Sequence, residues 1–321
     1  MNIVEKVKRS LWFLTQFLQD GWRYFRHCSI SPFADRERSL YYKMIIETHS
    51  LEKGLSVGRT RPGFGRQKIR YILDALRRYD LAYSELPAQM ALGTLETYVE
   101  FHKQVGFSDP LVGEVERFVQ GYRDKVHSQG GLRHFAEGMT LGREKKGSDF
   151  LTSRFSSRIF DPSPLSNEEV ATVVSVAQTA PSQCNRQATR AYFFRDKDKI
   201  RELLALQAGA GGFSDDVSNL FVIASELPAW GGAQQRNQPY IDGALFCMNL
   251  LLACHAHELV SCPLNLAITH KTEDKIKAAG GIGKGEVLIM MIAVGRMPAN
   301  TALKAARSPR RSVSEILTIQ G

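Results

Sequence analysis

The run Val287-Leu288-Ile289-Met290-Met291-Ile292-Ala293-Val294 constrains this chain more than any other feature. It is apolar at every position, carries β-branched residues at both ends, and lies between Gly285 and Gly295. A strand with no polar face must be covered on both sides. It therefore belongs in the interior of a sheet with helices packed above and below. Two shorter runs, Ala191–Arg195 and Asn219–Ala224, read as further strands.

Helical patterns separate these runs. Ser148 is a capping candidate for a short helix ending near Arg154. Ser166, with Glu169 three residues on, has the form of a capping box. Val170, Val173, Val174 and Ala177 would form the buried face of the helix that follows. Residues 239–258 and 271–278 predict a long apolar helix and a short one. The C-terminal half thus reads as α+β, with a central mixed sheet flanked by helices.

The first half has a different pattern. Residues 3–26, 36–50, 67–85, 88–105 and 110–127 predict helices, and Glu52 through Arg66 reads as a Gly- and Arg-rich loop. Ser128-Gln129-Gly130-Gly131 and the charged stretch Arg143–Gly147 suggest a linker. At 321 residues the chain is long enough for two domains. The expected division is an all-helical N-terminal domain, 1–146, and an α+β domain, 147–321.

Composition narrows the functional classes. The chain is 43% hydrophobic and 23% charged, which suits a globular protein with a sizeable core. The longest uncharged apolar candidate, Gly243–Cys254, is too short to span a bilayer, and the N-terminus has no secretory pattern. Cys28, Cys184, Cys247, Cys254 and Cys262 form no CxxC pair, which points to a reducing cytoplasm and to no zinc site. The net charge is +9, and residues 1–150 hold most of the excess, with 24 Lys and Arg against 18 Asp and Glu. Such a balance suits a phosphate-bearing cofactor, an acidic membrane surface or nucleic acid.

Three polar clusters could carry chemistry. Arg154-Phe155-Ser156-Ser157-Arg158 places two guanidiniums four residues apart around hydroxyls, a set suited to gripping a phosphate. Ala180-Pro181-Ser182-Gln183-Cys184-Asn185-Arg186-Gln187 supplies amides able to meet the edge of a heteroaromatic ring. Arg307-Ser308-Pro309-Arg310-Arg311 is a basic segment near the C-terminus. Each alone has an ordinary explanation: a surface Arg pair, a polar turn and a solvated basic face. Gly281-x-Gly283-x-Gly285 precedes its strand instead of following one, so it fails as a dinucleotide fingerprint and reads as a turn. His255 and His257, two apart at a helix end, do not share a face, and no metal site is expected.

Taken together, the order and spacing of the three clusters resemble the nitroreductase family of flavoenzymes, over about half of the chain. The matching elements are Arg154-x-Ser156-x-Arg158-x-Phe160, then Ala180-Pro181-Ser182-x-x-Asn185-x-Gln187 before a strand, a long helix beginning at Tyr240, a last strand ending at Gly295, and a basic pair. The resemblance implies a homodimer with FMN at its interface, reduced by NADH or NADPH and reoxidised by a small-molecule acceptor, with no nucleic acid involved. It implies that Arg154, Ser156 and Arg158 contact the FMN phosphate and ring edge. Pro181, Ser182 and Asn185 would line the ring, supported by Gln187. Pro263, Leu264 and Asn265 would pack beside its reactive nitrogen, and Arg310, with Arg311, would complete the phosphate site. Ser314–Ile319 would be a strand crossing to the partner's sheet. No general acid, nucleophile or metal ligand is required, because the cofactor carries the electron chemistry.

Two departures bear on this reading. The family's Pro-Trp after the Gln is replaced by Ala188-Thr189, and the excursion over the flavin, here Glu226 to Gln238, is short. The pocket is then either open or covered by the N-terminal domain, with Trp230 a candidate lid residue. These departures motivate an alternative: a non-catalytic flavin-binding or scaffold protein. The segment from His49 to Gly65 resembles N-terminal extensions of nitroreductase-like proteins associated with surface-polysaccharide synthesis. Trp12, Phe13, Phe17 and Trp22, together with Lys6, Lys8 and Arg9, give residues 3–26 the makings of a peripheral membrane helix.

Overall fold

The computed structural model describes residues 3–56, 60–132, 147–210, 213–298 and 313–321. Five helices occupy the described N-terminal part: α1 (Ile3–His27), α2 (Arg36–Ser56), α3 (Arg66–Arg78), α4 (Leu86–Gln104) and α5 (Pro110–Tyr122). Helices α2 to α5 share one core, with Met44, Leu51, Ile72, Leu92, Leu95 and Val115 fully buried.

Three boundaries differ from expectation. Helix α2 runs on to Ser56 through residues 52–54, which read as loop. Tertiary contacts hold this last turn: Glu52 accepts from Thr94 Oγ1 at 3.2 Å and from the Gly131 amide at 3.1 Å. Helix α3 stops at Arg78 instead of reaching residue 85, because Asp80 accepts from the Ala82 amide and turns the chain away. The Gly130-Gly131 break is also no free linker at its start, since the Gln129 amide donates to Gln89 O on α4.

The second part contains α6 (Gly147–Ser153), α7 (Asn167–Ala177), β1 (Thr189–Phe194), α8 (Lys197–Gln207), β2 (Leu220–Glu226), α9 (Gln238–Ala256), β3 (Leu259–Leu264), α10 (His270–Gly280) and β4 (Glu286–Arg296). Ser148 lies inside α6 and does not cap it. The capping box of α7 forms as read: Ser166 Oγ accepts from the Glu169 amide, and Glu169 Oε2 accepts from the Ser166 amide.

The sheet order among the described residues is β1-β2-β4-β3, with every neighbouring pair antiparallel. An isolated parallel bridge between Ser156 and Ser261 lies outside these strands. β4 is the interior strand its composition demands. Met291 and Ala293 face α8 and α10 beside Leu203 and Ile276. Ile292 and Val294 face α7 and α9 beside Val173 and Leu250. Met291, Ile292 and Val294 each contribute roughly 1.5–3 kcal/mol when fully buried.

Two elements were not anticipated, α8 and β3. β3 contains Pro263, which argues against a strand in the interior of a sheet. Here the strand lies at an edge, where a missing N–H is tolerated. Of the stretch from Ser314 to Ile319, a 3₁₀ turn takes the start, Val313–Glu315, and the residues that follow pair with no strand among the described residues of this chain.

Candidate functional site

The first cluster is held against β3. The Ser157 amide donates to Ser261 O at 3.0 Å, and Ser157 Oγ donates to Ile159 O at 2.8 Å. This pins the strand-like segment that carries Arg154, Ser156 and Arg158. Burial pushes the Cys262 thiol pKa up, while the charges of Arg158 and Arg154 pull it back. Pro263 is half-buried, Leu264 is buried, and Asn265 is exposed just beyond them. The Asn265 side chain caps the following turn through the Ala267 amide, and its carbonyl accepts from Gln207 Nε2. The fold therefore brings the Arg154–Arg158 segment and the Pro263–Asn265 segment to one sheet edge. Arg154 Nη1 is buried there without a hydrogen-bond partner.

The second cluster forms a strained turn between α7 and β1. Cys184, Asn185 and Gln187 all have φ near +50°, a region costly for residues with a Cβ. Specific bonds hold the strain. The Gln187 amide donates to Ser182 Oγ at 3.0 Å, and the Asn185 amide donates to Ser182 O. Gln187 Nε2 donates to Asn185 Oδ1 at 3.1 Å. Asp242, buried on α9, accepts the Gln183 amide at 2.8 Å and Gln238 Nε2 at 2.8 Å. Strain maintained by this many contacts is characteristic of working sites.

Arg186 braces that turn from the side of Trp230. Its guanidinium stacks 5.1 Å over the Trp230 ring and donates to Gln183 O and Oε1. Trp230 is fully buried, so it is core and no lid residue. The N-terminal part covers the short Glu226–Gln238 segment instead. Tyr42 donates to Glu226, Arg38 pairs with Glu226 at 3.4 Å, and Tyr24 donates to Gly232 O at 2.9 Å. A cavity of about 350 Å³ lies beside the turn, lined by Pro181, Ser182 and Gln187 together with Tyr41 and Tyr42 of α2 and Arg190 of β1.

The first and second clusters have different neighbours within one chain: β3 for one, α9 and α2 for the other. Arg310 and Arg311 lie outside the described residues. The described part of the His49–Gly65 segment makes structural contacts. His49 pairs with Glu52 at 3.1 Å, and the Gly63 amide donates to the ring of buried His102 at 2.9 Å.

Sequence reasoning did not single out Asp242, Tyr41, Tyr42 or Glu226. Only Asp242 left a signal, as a charged residue inside the otherwise apolar stretch Tyr240-Ile241-Asp242-Gly243-Ala244.

Comparison with known proteins follows the same outline. No curated protein matches the chain. Among solved structures, an FMN-dependent nitroreductase from Clostridium difficile is similar over 50% of this chain and 92% of its own, at 18% identity and TM-score 0.43. A nitroreductase-like protein from Streptococcus mutans is similar over 55% and 98%, at 24% identity and TM-score 0.46. The Bacillus megaterium protein NfrA2 is similar over 55% and 75%, at 16% identity and TM-score 0.48. Residues 151–218, which hold both the Arg154–Arg158 segment and the strained turn, match the model of the nitroreductase family.

Proposed function

We propose that residues 147–321 form an FMN-dependent oxidoreductase domain that takes electrons from NADH or NADPH and passes them to a small-molecule acceptor. Residues 1–146 form a separate helical domain in this reading. The observation that carries it is Arg154 Nη1, a buried guanidinium nitrogen with no acceptor among the described residues, two residues from Ser156, which bridges to Ser261 of β3. Leaving a buried donor unpaired costs about 1–3 kcal/mol, and more when it is charged. A phosphate oxygen of bound FMN would supply the missing acceptor, a partner well matched to a guanidinium.

Arg154, Ser156 and Arg158 would hold the FMN phosphate and the polar ring edge, with Arg310 and Arg311 closing the phosphate site. Pro181, Ser182 and Asn185 would line the ring, with Gln187 fixing Asn185. Pro263, Leu264 and Asn265 would pack at the opposite side. Bound FMN would supply the two-electron chemistry; the chain's own residues bind, orient and exclude water. The separate surroundings of the two clusters support a homodimer in which each flavin is caged by two chains.

The test is purification followed by a visible spectrum and turnover with NADH and NADPH, using a quinone or a nitroarene as acceptor. Protein that stays colourless and cannot be reconstituted with FMN overturns the proposal. Stable FMN binding without reduction by either nucleotide supports the alternative of a flavin-binding scaffold.

A further inference from the structure

Helix α1 is attached to the rest of the chain by its polar side. His270 donates through its backbone amide to Gln16 Oε1 at 3.2 Å and through its ring to Gln16 O at 3.0 Å. Arg23 pairs with Glu273 of α10, and Tyr24 donates to Gly232 O. His27 lies against Gly285, at the entry to β4.

Val7, Leu11, Leu14, Leu18 and Phe25 occupy the other side, centred about 170° away at 100° per residue. All five are exposed, Leu18 at 71%. This inverts the usual arrangement of an amphipathic helix, which turns its apolar stripe inward. The stripe also continues past the helix end. Trp22 and Phe25 meet the exposed Phe33 with ring centroids 6.4 and 6.3 Å away. A contiguous apolar surface of this length marks an interaction face.

Charge selects the occupant. Arg23 is taken up by Glu273 and by Asp20 at 2.8 Å, and among the other charges of the helix Lys6, Lys8, Arg9 and Arg26 outnumber Glu5. Lys6 lies along one margin of the stripe, and Lys8 and Arg26 along the other. A second copy of the same helix would bring like charges together along both margins. Anionic lipid headgroups neutralise them, while long basic side chains reach up from a helix lying in the interface. No described helix is long and apolar enough to cross a membrane.

We infer that α1 lies flat in the headgroup layer of an anionic membrane, apolar stripe downward, and carries the α+β domain on its upper, polar side. This interaction is independent of the flavin reading.

Flotation of the full chain with two kinds of vesicle tests it: phosphatidylcholine alone, and phosphatidylcholine mixed with phosphatidylglycerol. The chain should float with the mixed vesicles. Affinity should fall about tenfold or more on neutral vesicles, and by a similar factor for Leu11→Asp combined with Leu18→Asp. Both positions are exposed, so circular dichroism of the variant should match the parent. Absence of flotation with mixed vesicles, or flotation that the double substitution leaves unchanged, overturns the inference. A concentration-dependent dimer that the double substitution dissociates, without vesicle binding, assigns the stripe to a second copy and overturns it equally. None of these readouts depends on flavin content.

Discussion

The backbone amide of Gln183 donates to the carboxylate of Asp242 at 2.8 Å, tying the strained turn before β1 to the N-terminal part of α9. Asp242 is 3% exposed, so its loss leaves the Gln183 donor without an obvious replacement. Asp242→Ala is expected to cost about 1–3 kcal/mol. It should lower the melting temperature by several degrees and reduce retained flavin. Asp242→Asn keeps an acceptor oxygen and should preserve most of both. An alanine variant that melts like the parent would remove Asp242 from this role.

Arg154→Ala should behave oppositely in stability. Its buried Nη1 forms no hydrogen bond among the described residues, so the cofactor-free protein should melt at the same temperature or higher. Flavin content, measured by absorbance after desalting, should fall sharply, and further when Arg158→Ala is added. Undiminished occupancy in the double variant contradicts the assignment of these residues to the phosphate.

The Arg23–Glu273 pair makes the seating of α1 sensitive to pH. Burial alone would raise the Glu273 pKa, but Arg23 and Lys277 outweigh it and hold the carboxyl below its ordinary value of 4.5. A carboxyl lowered in the folded state stabilises it above that ordinary value. The contribution is lost as pH falls through the folded value. The protection of α1 amides, taken relative to their intrinsic exchange rate at each pH, should therefore hold at neutral pH and fall below about 4.5. Arg23→Ala should produce the same loss of protection at neutral pH. Equal exchange in parent and variant would show that the pair does not hold the helix.

Gly130→Ala tests how tightly the segment after α5 crosses α4. A Cβ at this position would collide with the carbonyl of Met90, a backbone group that cannot turn aside as a side chain can. The substitution is expected to cost about 1–3 kcal/mol or more, read as a lower urea midpoint. Gly121→Ala, where a Cβ meets open space, is the matched control and should not destabilise the chain.

Local signals in the sequence determined a good part of this protein. The apolar run at Val287–Val294 required an interior strand with cover on both faces, and β4 has it. Ser166 and Glu169 specified the start of α7 through bonds three residues apart. The spacing of Arg154, Ser156 and Arg158 and the turn from Pro181 to Gln187 marked out the candidate site. These features are legible because the groups that form them lie within a few residues of one another, or because period and polarity leave one arrangement that buries apolar surface. Contacts between distant residues decided the rest. The last turn of α2 depends on Thr94 and Gly131 reaching Glu52. β3 tolerates Pro263 only because the sheet order puts it at an edge. Trp230 is buried because Arg186 and the N-terminal helices close over it, and α1 faces outward because Glu273 and His270 take its polar side. An amphipathic pattern records that a helix has two faces; which face the protein keeps for itself is set by the partners that the folded chain brings to it.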